Sequence, residues 1–434
     1  MQNARNIALN VLYNIDVNGA YINIELKNSL EKSNLSSVDR NFVTELVHGV
    51  IRYKIRLDYV IKQFSKIKWN KISPYVVNIL RLGIYQILFL DKIPNSAAIN
   101  ESVNLVKKYS NHSSGFVNAL LRNVTRNEIK YPEEQIEYLS VFYSFENWMV
   151  KKFVDDYGYE KTVSILNSLN RRKNLYIRVN TLVTDVDSLI KEFEDKSIIA
   201  KKSDIISDAL SVKGIGNLNT LDAFVEGKFY VQNLSSMLCV KSLDVKENNL
   251  VIDVCAAPGG KTSYISQIMN NTGKIIAFDM YEHKIKLMNE NFERLHIKNI
   301  DVELNNSENV CEKYVEKADC VLVDAPCSGL GIISQKPDIK YSIKEEDIQK
   351  LSKQSLKILN TSAKYVKKGG TLVFSLCTFT NEESVHNVEK FLELNNDFKL
   401  EKINCYDEDN NGMITIFPDE TDMDGFFICK FKRV

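Results

Sequence analysis

The apolar positions change their period along the chain. Ala4, Ile7, Ala8, Val11, Leu12 and Ile15 keep the three-to-four spacing of one helical face. Ser36 and Asp39 fit a capping box ahead of Phe42, Val43, Leu46, Val47 and Val50. Ser73 followed by Pro74 predicts an N-cap and a proline at the first helical position, opening the helix of VVNILRLGIYQIL. Further apolar stripes run through 97–108 and 116–124 with no alternating pattern between them. Residues 1–130 therefore predict an all-α domain.

Between Tyr131 and about Gln232 the pattern is mixed. FENWMVKKFVDDYG predicts a helix, LYIRVNTL a strand, DVDSLIKEFE a helix, and short strands fall near FYVQN. Together they predict a small α/β or α+β unit. RRKN (171–174) leads into Arg178 and Asn180, and a solvated loop accounts for it as it stands. From about Leu250 strands and helices alternate. NLVIDV, KIIAFD, IDVEL, DCVLVD and TLVFSL predict strands, with helices at KTSYISQIMN, up to His296, at 345–367 and at NEESVHNVEKFLEL. That alternation predicts a mainly parallel, doubly wound sheet. ITIF and FFICKFK can add an antiparallel edge.

Composition adds limits. A chain of 434 residues holds two or three domains with full cores. The most apolar run is too short to span a bilayer and contains Arg81, and MQNARNIALNVL lacks the regions of a signal peptide. We expect a soluble, cytoplasmic protein with no membrane association. All eight cysteines lie at or after Cys239 without a CxxC pair, which argues against a disulfide framework and a zinc ribbon. The five histidines are scattered, so no metal is expected. Zero net charge conceals 18 Lys/Arg against 9 Asp/Glu in residues 1–130, balanced by an acidic remainder that includes much of 401–424. A basic helical unit suits a polyanionic partner, although solvated helix faces explain it equally.

The candidate chemistry lies at strand ends, where sheets of this kind bind ligands. The first strand ends at Asp253 and runs into CAAPGGKT, whose Gly259 and Gly260 allow close backbone approach to a ligand. Asp279 closes the second strand, 20 residues after Gly259, a spacing suited to gripping ribose hydroxyls. A plain tight turn also explains the glycines. The loop lacks GxxxxGK[ST], and Pro258 removes an amide that would cradle phosphate. A neutral-to-cationic nucleoside such as S-adenosylmethionine fits better than ATP.

DAPC, ending in Cys327, follows the fourth strand, and SLCT, with Cys377, follows the fifth. In such a sheet these strands are neighbours, so two thiols share one crevice. Buried, inert thiols suffice for Cys239, Cys311, Cys320, Cys405 and Cys429. Beside a methyl donor, a thiolate adding to pyrimidine carbon 6 makes carbon 5 reactive. Asp324 can hydrogen-bond the N3/N4 edge of the base, and the second thiol can assist release.

DVCAAPGGKT, VDAPCSGLG, KPDIKY, KGGTLVFSLCT and the terminal DGFF resemble the RNA cytosine-5 methyltransferases of the Fmu/Sun family. The basic helical domain resembles the NusB RNA-binding fold, so the likeness covers essentially the whole chain. It implies a NusB-like domain over 1–130, a small RNA-contacting α/β subdomain over 131–235, and a Rossmann-like class I methyltransferase domain over 236–434. It implies S-adenosylmethionine as cofactor and a cytosine of 16S rRNA, free or partly assembled, as substrate for a monomeric enzyme. Carried over, the cofactor loop is Cys255, Ala256, Ala257, Pro258, Gly259, Gly260 and Lys261. Asp279 holds the ribose, Asn306 lies on the adenine side, and Asp324 borders cofactor and base. Cys377 is the nucleophile and Cys327 assists release. Three positions depart from the family pattern: Leu376 replaces the usual Thr before the nucleophile, Asn306 replaces an acid, and Gln232-Asn233 stands where Gln-Asp is usual.

Other readings compete. DNA cytosine-5 methyltransferases share the covalent chemistry but lack a second cysteine after the fifth strand and the helical domain. Another RNA, such as tRNA or large-subunit rRNA, could be the substrate. A catalytically silent assembly factor would bind RNA without turnover.

Overall fold

The computed structural model describes residues 4–406 and 409–434, so Asp407 and Glu408 of the acidic stretch lie outside the described residues. The chain divides into two compact units, one of residues 1–170 with 336–342 and one of residues 171–335 with 343–434.

The first unit is helical. Helix Ala4–Asn18 buries Ala4, Ala8, Leu9, Val11 and Leu12, while Ile7 and Ile15 pack at the margin of the core. Ser36 Oγ accepts from the Asp39 amide at 3.1 Å, capping helix Ser37–Arg52. Pro74 opens helix Pro74–Phe89 with Ser73 at the N-cap position, but the Ser73 hydroxyl makes no capping bond. This helix is buried from Val76 through Gln86, which explains why its sequence is apolar on every face. Arg81 tolerates that burial because Asp58 lies 2.6 Å and Asp16 3.0 Å from its guanidinium. The helical run continues past residue 130 through Gln135–Tyr143, Asn147–Tyr157 and Tyr159–Asn170, all within this unit. Among the described residues no helix is long and apolar enough to cross a membrane.

The second unit holds two sheets. Strands β1 (Leu175–Val179), β2 (Ile199–Lys202), β3 (Ala209–Lys213) and β4 (Phe229–Val231) form an antiparallel sheet in the order β2-β3-β1-β4. The sequence pattern misses β2 and β3. IAKK carries one partly buried position and no apolar alternation, so only pairing with β3 makes it a strand.

The larger sheet contains β5 (Leu250–Asp253), β6 (Lys274–Asp279), β7 (Ile300–Leu304), β8 (Ala318–Asp324), β9 (Val366–Leu376), β10 (Phe398–Leu400), β11 (Met413–Ile416) and β12 (Phe426–Arg433). Its order is β10-β12-β9-β8-β5-β6-β7, with β11 on β12. Successive residues of the central strands enter separate cores. Val251, Ile275, Cys320 and Leu322 face one, and Ile252, Ile276, Val321 and Val323 the other. Two buried faces explain the unbroken apolar runs. The antiparallel addition comes out differently from the expected edge. β12 lies between β9 and β10, so the short β10 is outermost.

Candidate active site

Four parallel strands, β5, β6, β8 and β9, deliver the site. Register pairs Asp253 of β5 with Leu322 of β8, and Asp324 of β8 with Ser375 of β9. The polar strand-end residues therefore gather at one end of the sheet.

After β5 the chain turns sharply through Cys255 to Pro258, with a cis Ala257–Pro258 bond and Gly259 at φ +95°. The Gly259 amide donates to Ala256 O at 2.8 Å, and helix Gly260–Ile268 starts at once. The glycines serve packing as well as any ligand. A Cβ on Gly259 would lie 2.7 Å from the Phe292 ring, and one on Gly260 would lie 2.7 Å from Tyr230. Arg178, missed in the sequence as a site residue, is fully buried and donates to Gly260 O at 2.7 Å and Ser263 Oγ at 2.8 Å. It holds the start of that helix from within the unit. Asp253 accepts from Thr262 Oγ1 at 2.7 Å, but its Oδ1 is buried without a partner. Burial pushes its carboxyl up to about 7.

Asp279, at the end of β6, is buried to 7% exposure and accepts from the Tyr281 amide at 3.2 Å. Asn306 does not join it. Its side chain is exposed, and Oδ1 accepts from the Glu308 amide at 3.0 Å within its own turn. The preceding Asn305 donates its amide N–H to Asp279 O at 3.0 Å, and its Nδ2 is buried without a partner.

Lys261 leaves the cofactor loop and reaches Asp324, with Nζ 2.7 Å from Oδ2. Ser375 Oγ donates to the other carboxylate oxygen at 2.8 Å. Burial alone would lower the Lys261 pKa, but the Asp324 carboxylate outweighs it and holds the ammonium above its ordinary range. Next to this pair, Cys327 Sγ and Cys377 Sγ stand 3.3 Å apart, both free and part-exposed. Hydrogen bonding to Cys377 and then burial raise the Cys327 thiol well above its usual pKa. Leu376, before the nucleophile candidate, is fully buried in the sheet core. Of the other cysteines, Cys239, Cys320 and Cys429 are buried, and Cys255, Cys311 and Cys405 are partly so.

These residues fit S-adenosylmethionine. The loop after β5 leaves a helix N-terminus without a phosphate cradle, Asp279 closes β6, and buried polar atoms of Asp253 and Asn305 lack protein partners. The fold, with this loop at the sheet end, defines an S-adenosylmethionine-dependent methyltransferase. Family profiles agree: 16S rRNA methyltransferase RsmB/F matches residues 240–432, the NusB family matches 2–126, and a Methyltr_RsmF/B-like ferredoxin-like domain matches 145–219. The probable ribosomal RNA small subunit methyltransferase B of Bacillus subtilis is 36% identical, covering 99% of this chain and 98% of its own. That of Synechocystis is 32% identical over the full length of both. A solved methyltransferase homolog from Pyrococcus horikoshii is 26% identical at a TM-score of 0.62, covering 70% of this chain and 100% of that one. The chain belongs to the ribosomal RNA small subunit methyltransferase B family.

Proposed function

We propose that the protein methylates carbon 5 of a cytosine in 16S rRNA through a covalent cysteine adduct. The observation that carries this reading is the pair of thiols 3.3 Å apart at the ends of adjacent strands, beside the Lys261–Asp324 pair. One buried inert cysteine is ordinary; two facing thiols at a ligand-binding sheet end are not.

Cys377, as thiolate, adds to carbon 6 of the base and makes carbon 5 nucleophilic. Asp324, steadied by Lys261 and Ser375, binds the N3/N4 edge and stabilises charge in the adduct. S-adenosylmethionine, held by the loop 255–261, Asp279 and Asn306 and bordered by Asp324, supplies the methyl group. Cys327, whose thiol pKa is raised beside Cys377, assists elimination of the thiol once carbon 5 has lost its proton. The base must leave its stack to reach either thiol.

The wider assignments belong to the same proposal. Residues 1–130 serve as a NusB-like RNA-binding domain, 131–235 connect and contact RNA, and 236–434 carry the chemistry. The enzyme acts as a cytoplasmic monomer on free or partly assembled 16S rRNA.

A denaturing gel with labelled small-subunit rRNA tests the chemistry. A slow protein–RNA band should accumulate with Cys327→Ala and vanish in the Cys327→Ala/Cys377→Ala double mutant. A band surviving in the double mutant overturns the assignment of Cys377. Bisulfite sequencing of small-subunit rRNA from cells with and without the gene locates the cytosine; no difference between them refutes the 16S assignment.

A further inference from the structure

Glu383 is fully buried in the loop that follows β9. Its ordinary fate in a core would be to pair with a cation, yet its hydrogen-bond partners are neutral donors from the two cysteine loops. Ser328, the residue after Cys327, donates its amide to Oε1 at 2.7 Å and its hydroxyl to Oε2 at 2.6 Å. Thr380 Oγ1 donates to Oε2 at 2.7 Å. Ser328 Oγ also lies 3.0 Å from Thr378 Oγ1, and Thr378 follows Cys377. A backbone bond of 3.0 Å from Gly331 N to Cys377 O closes the same circuit.

The loop after Cys327 and the loop after Cys377 are therefore joined through one carboxylate, by way of Ser328 and Thr380, and Ser328 also meets Thr378 directly. Nothing else in the covalent chemistry calls for a buried acid at this place. A buried carboxylate without a cation is costly, and three charge-assisted donors offset that cost only while both loops stay in position. Burial raises its pKa, and the bonds from Ser328 and Thr380 oppose the rise.

From this geometry we infer that Glu383 is a positioning residue that sets the distance between the Cys327 and Cys377 thiols, so that both reach one base. The inference rests on the two-thiol reading above for its catalytic consequence, but the spacing itself can be measured without RNA. Diamide converts two adjacent thiols to a disulfide. The thiols lose two protons and two electrons, and the azo bond becomes a hydrazine. Because an S–S bond needs a fixed approach of the two Cβ atoms, its rate of formation reports the spacing.

The experiment uses the full chain as wild type, Glu383→Ala, Glu383→Gln and Ser328→Ala. Cross-linking of Cys327 to Cys377 by diamide is followed by peptide mass spectrometry, and S-adenosylmethionine affinity by calorimetry. Adduct formation with unmodified 16S rRNA transcript is followed in a Cys327→Ala background. Glu383→Ala should slow both cross-linking and adduct formation, the latter on the order of 100-fold as expected for a misplacement of about 1 Å. Cofactor affinity should not change. Glu383→Gln, which can still accept from the Ser328 amide while the two hydroxyls turn, should restore most of both rates. Wild-type cross-linking in Glu383→Ala overturns the inference. Should Glu383→Ala lose cofactor binding through misfolding, Ser328→Ala decides instead: slowed cross-linking supports the inference and an unchanged rate overturns it. Normal wild-type cross-linking without any RNA adduct would refute the covalent reading while leaving the positioning result interpretable.

Discussion

Two lysines, one half-buried and one fully buried, both in motifs that carry the family resemblance, end in opposite situations. Lys261 of CAAPGGKT sits 2.7 Å from the Asp324 carboxylate beside the thiols. Lys340 of KPDIKY is fully buried in the first unit and meets only neutral acceptors. Its Nζ donates to Asn170 Oδ1 at 2.6 Å, Arg52 O at 2.9 Å and Tyr143 O at 3.3 Å, over the Phe145 ring at 3.8 Å. Asp324 holds the first lysine above its ordinary pKa against the pull of burial, whereas burial and then Arg52 push the second well below. A counter-charge left in a part-open crevice is available for substrate. A carbonyl cage uses all three ammonium protons to fasten residues 336–342 into the helical unit. Burial alone does not separate a working lysine from a structural one; the partner does.

Exchanging Asp324 for Asn tests that distinction most severely. The side chain keeps its shape and one carbonyl acceptor but loses the charge opposite Lys261 and the second acceptor oxygen. Methylation should fall on the order of 10²–10³-fold, the scale of losing a group aimed at transition-state charge. Calorimetry should find cofactor affinity within a factor of about three, since each factor of ten needs about 1.4 kcal/mol. A protein that is unstable but fully active per folded molecule would place Asp324 with Lys340.

Lys340→Met should behave in the reverse way. It strands Asn170 Oδ1 and removes the lysine bond to Arg52 O, while Tyr143 O keeps its 2.7 Å bond from Asn170 Nδ2. Two lost charge-assisted bonds, one of which leaves a buried acceptor bare, less the relief of removing a buried charge, should cost about 3 kcal/mol. Urea unfolding of the first unit measures it, with methylation per folded molecule unchanged. Lost activity at full stability would break the contrast.

Much of this was legible in the sequence. The helical period of residues 4–15, the both-faces-buried strands and the strand-end motifs read directly, because burial fixes which positions are apolar. What escaped depends on pairing across the chain. β2 is polar and exists through its partner β3. The place of β12 between β9 and β10 is a matter of topology that no local pattern carries. Asn305 and Asn306 are identical in type, and only the turn after β7 decides which one is exposed. Glu383 looked like one more polar residue near a helix start, yet the helix begins at Val385 and the acid turns inward.

Asp279 extends the contrast to a carboxylate whose partner is to be a ligand. It lies 3.5 Å from Lys284 Nζ, too long for a hydrogen bond, and a charge-assisted bond to a ribose hydroxyl would be stronger. Asp279→Ala should weaken S-adenosylmethionine binding by about 2 kcal/mol. Calorimetry showing equal affinity would remove Asp279 from the cofactor site.

The smallest effect is also the one that compares the two lysines on a single axis, alkaline pH. Lys340 has a lowered pKa when folded, so between that value and the unfolded value of about 10.4 the unfolded chain binds more protons, and stability rises with pH. Lys261 has a raised pKa when folded; its contribution is complete below about pH 10.4 and is lost only as pH climbs through the folded value. The unfolding free energy of wild type minus that of Lys340→Met should therefore widen as the unfolded value is approached from below. Wild type minus Lys261→Met should stay level over the same interval and decline beyond it. Urea titrations in steps from about pH 7 to about pH 10 distinguish the two. Parallel curves for both pairs would mean that the neutral cage holds the Lys340 proton as firmly as a carboxylate does, and that partner charge is not what separates the sites.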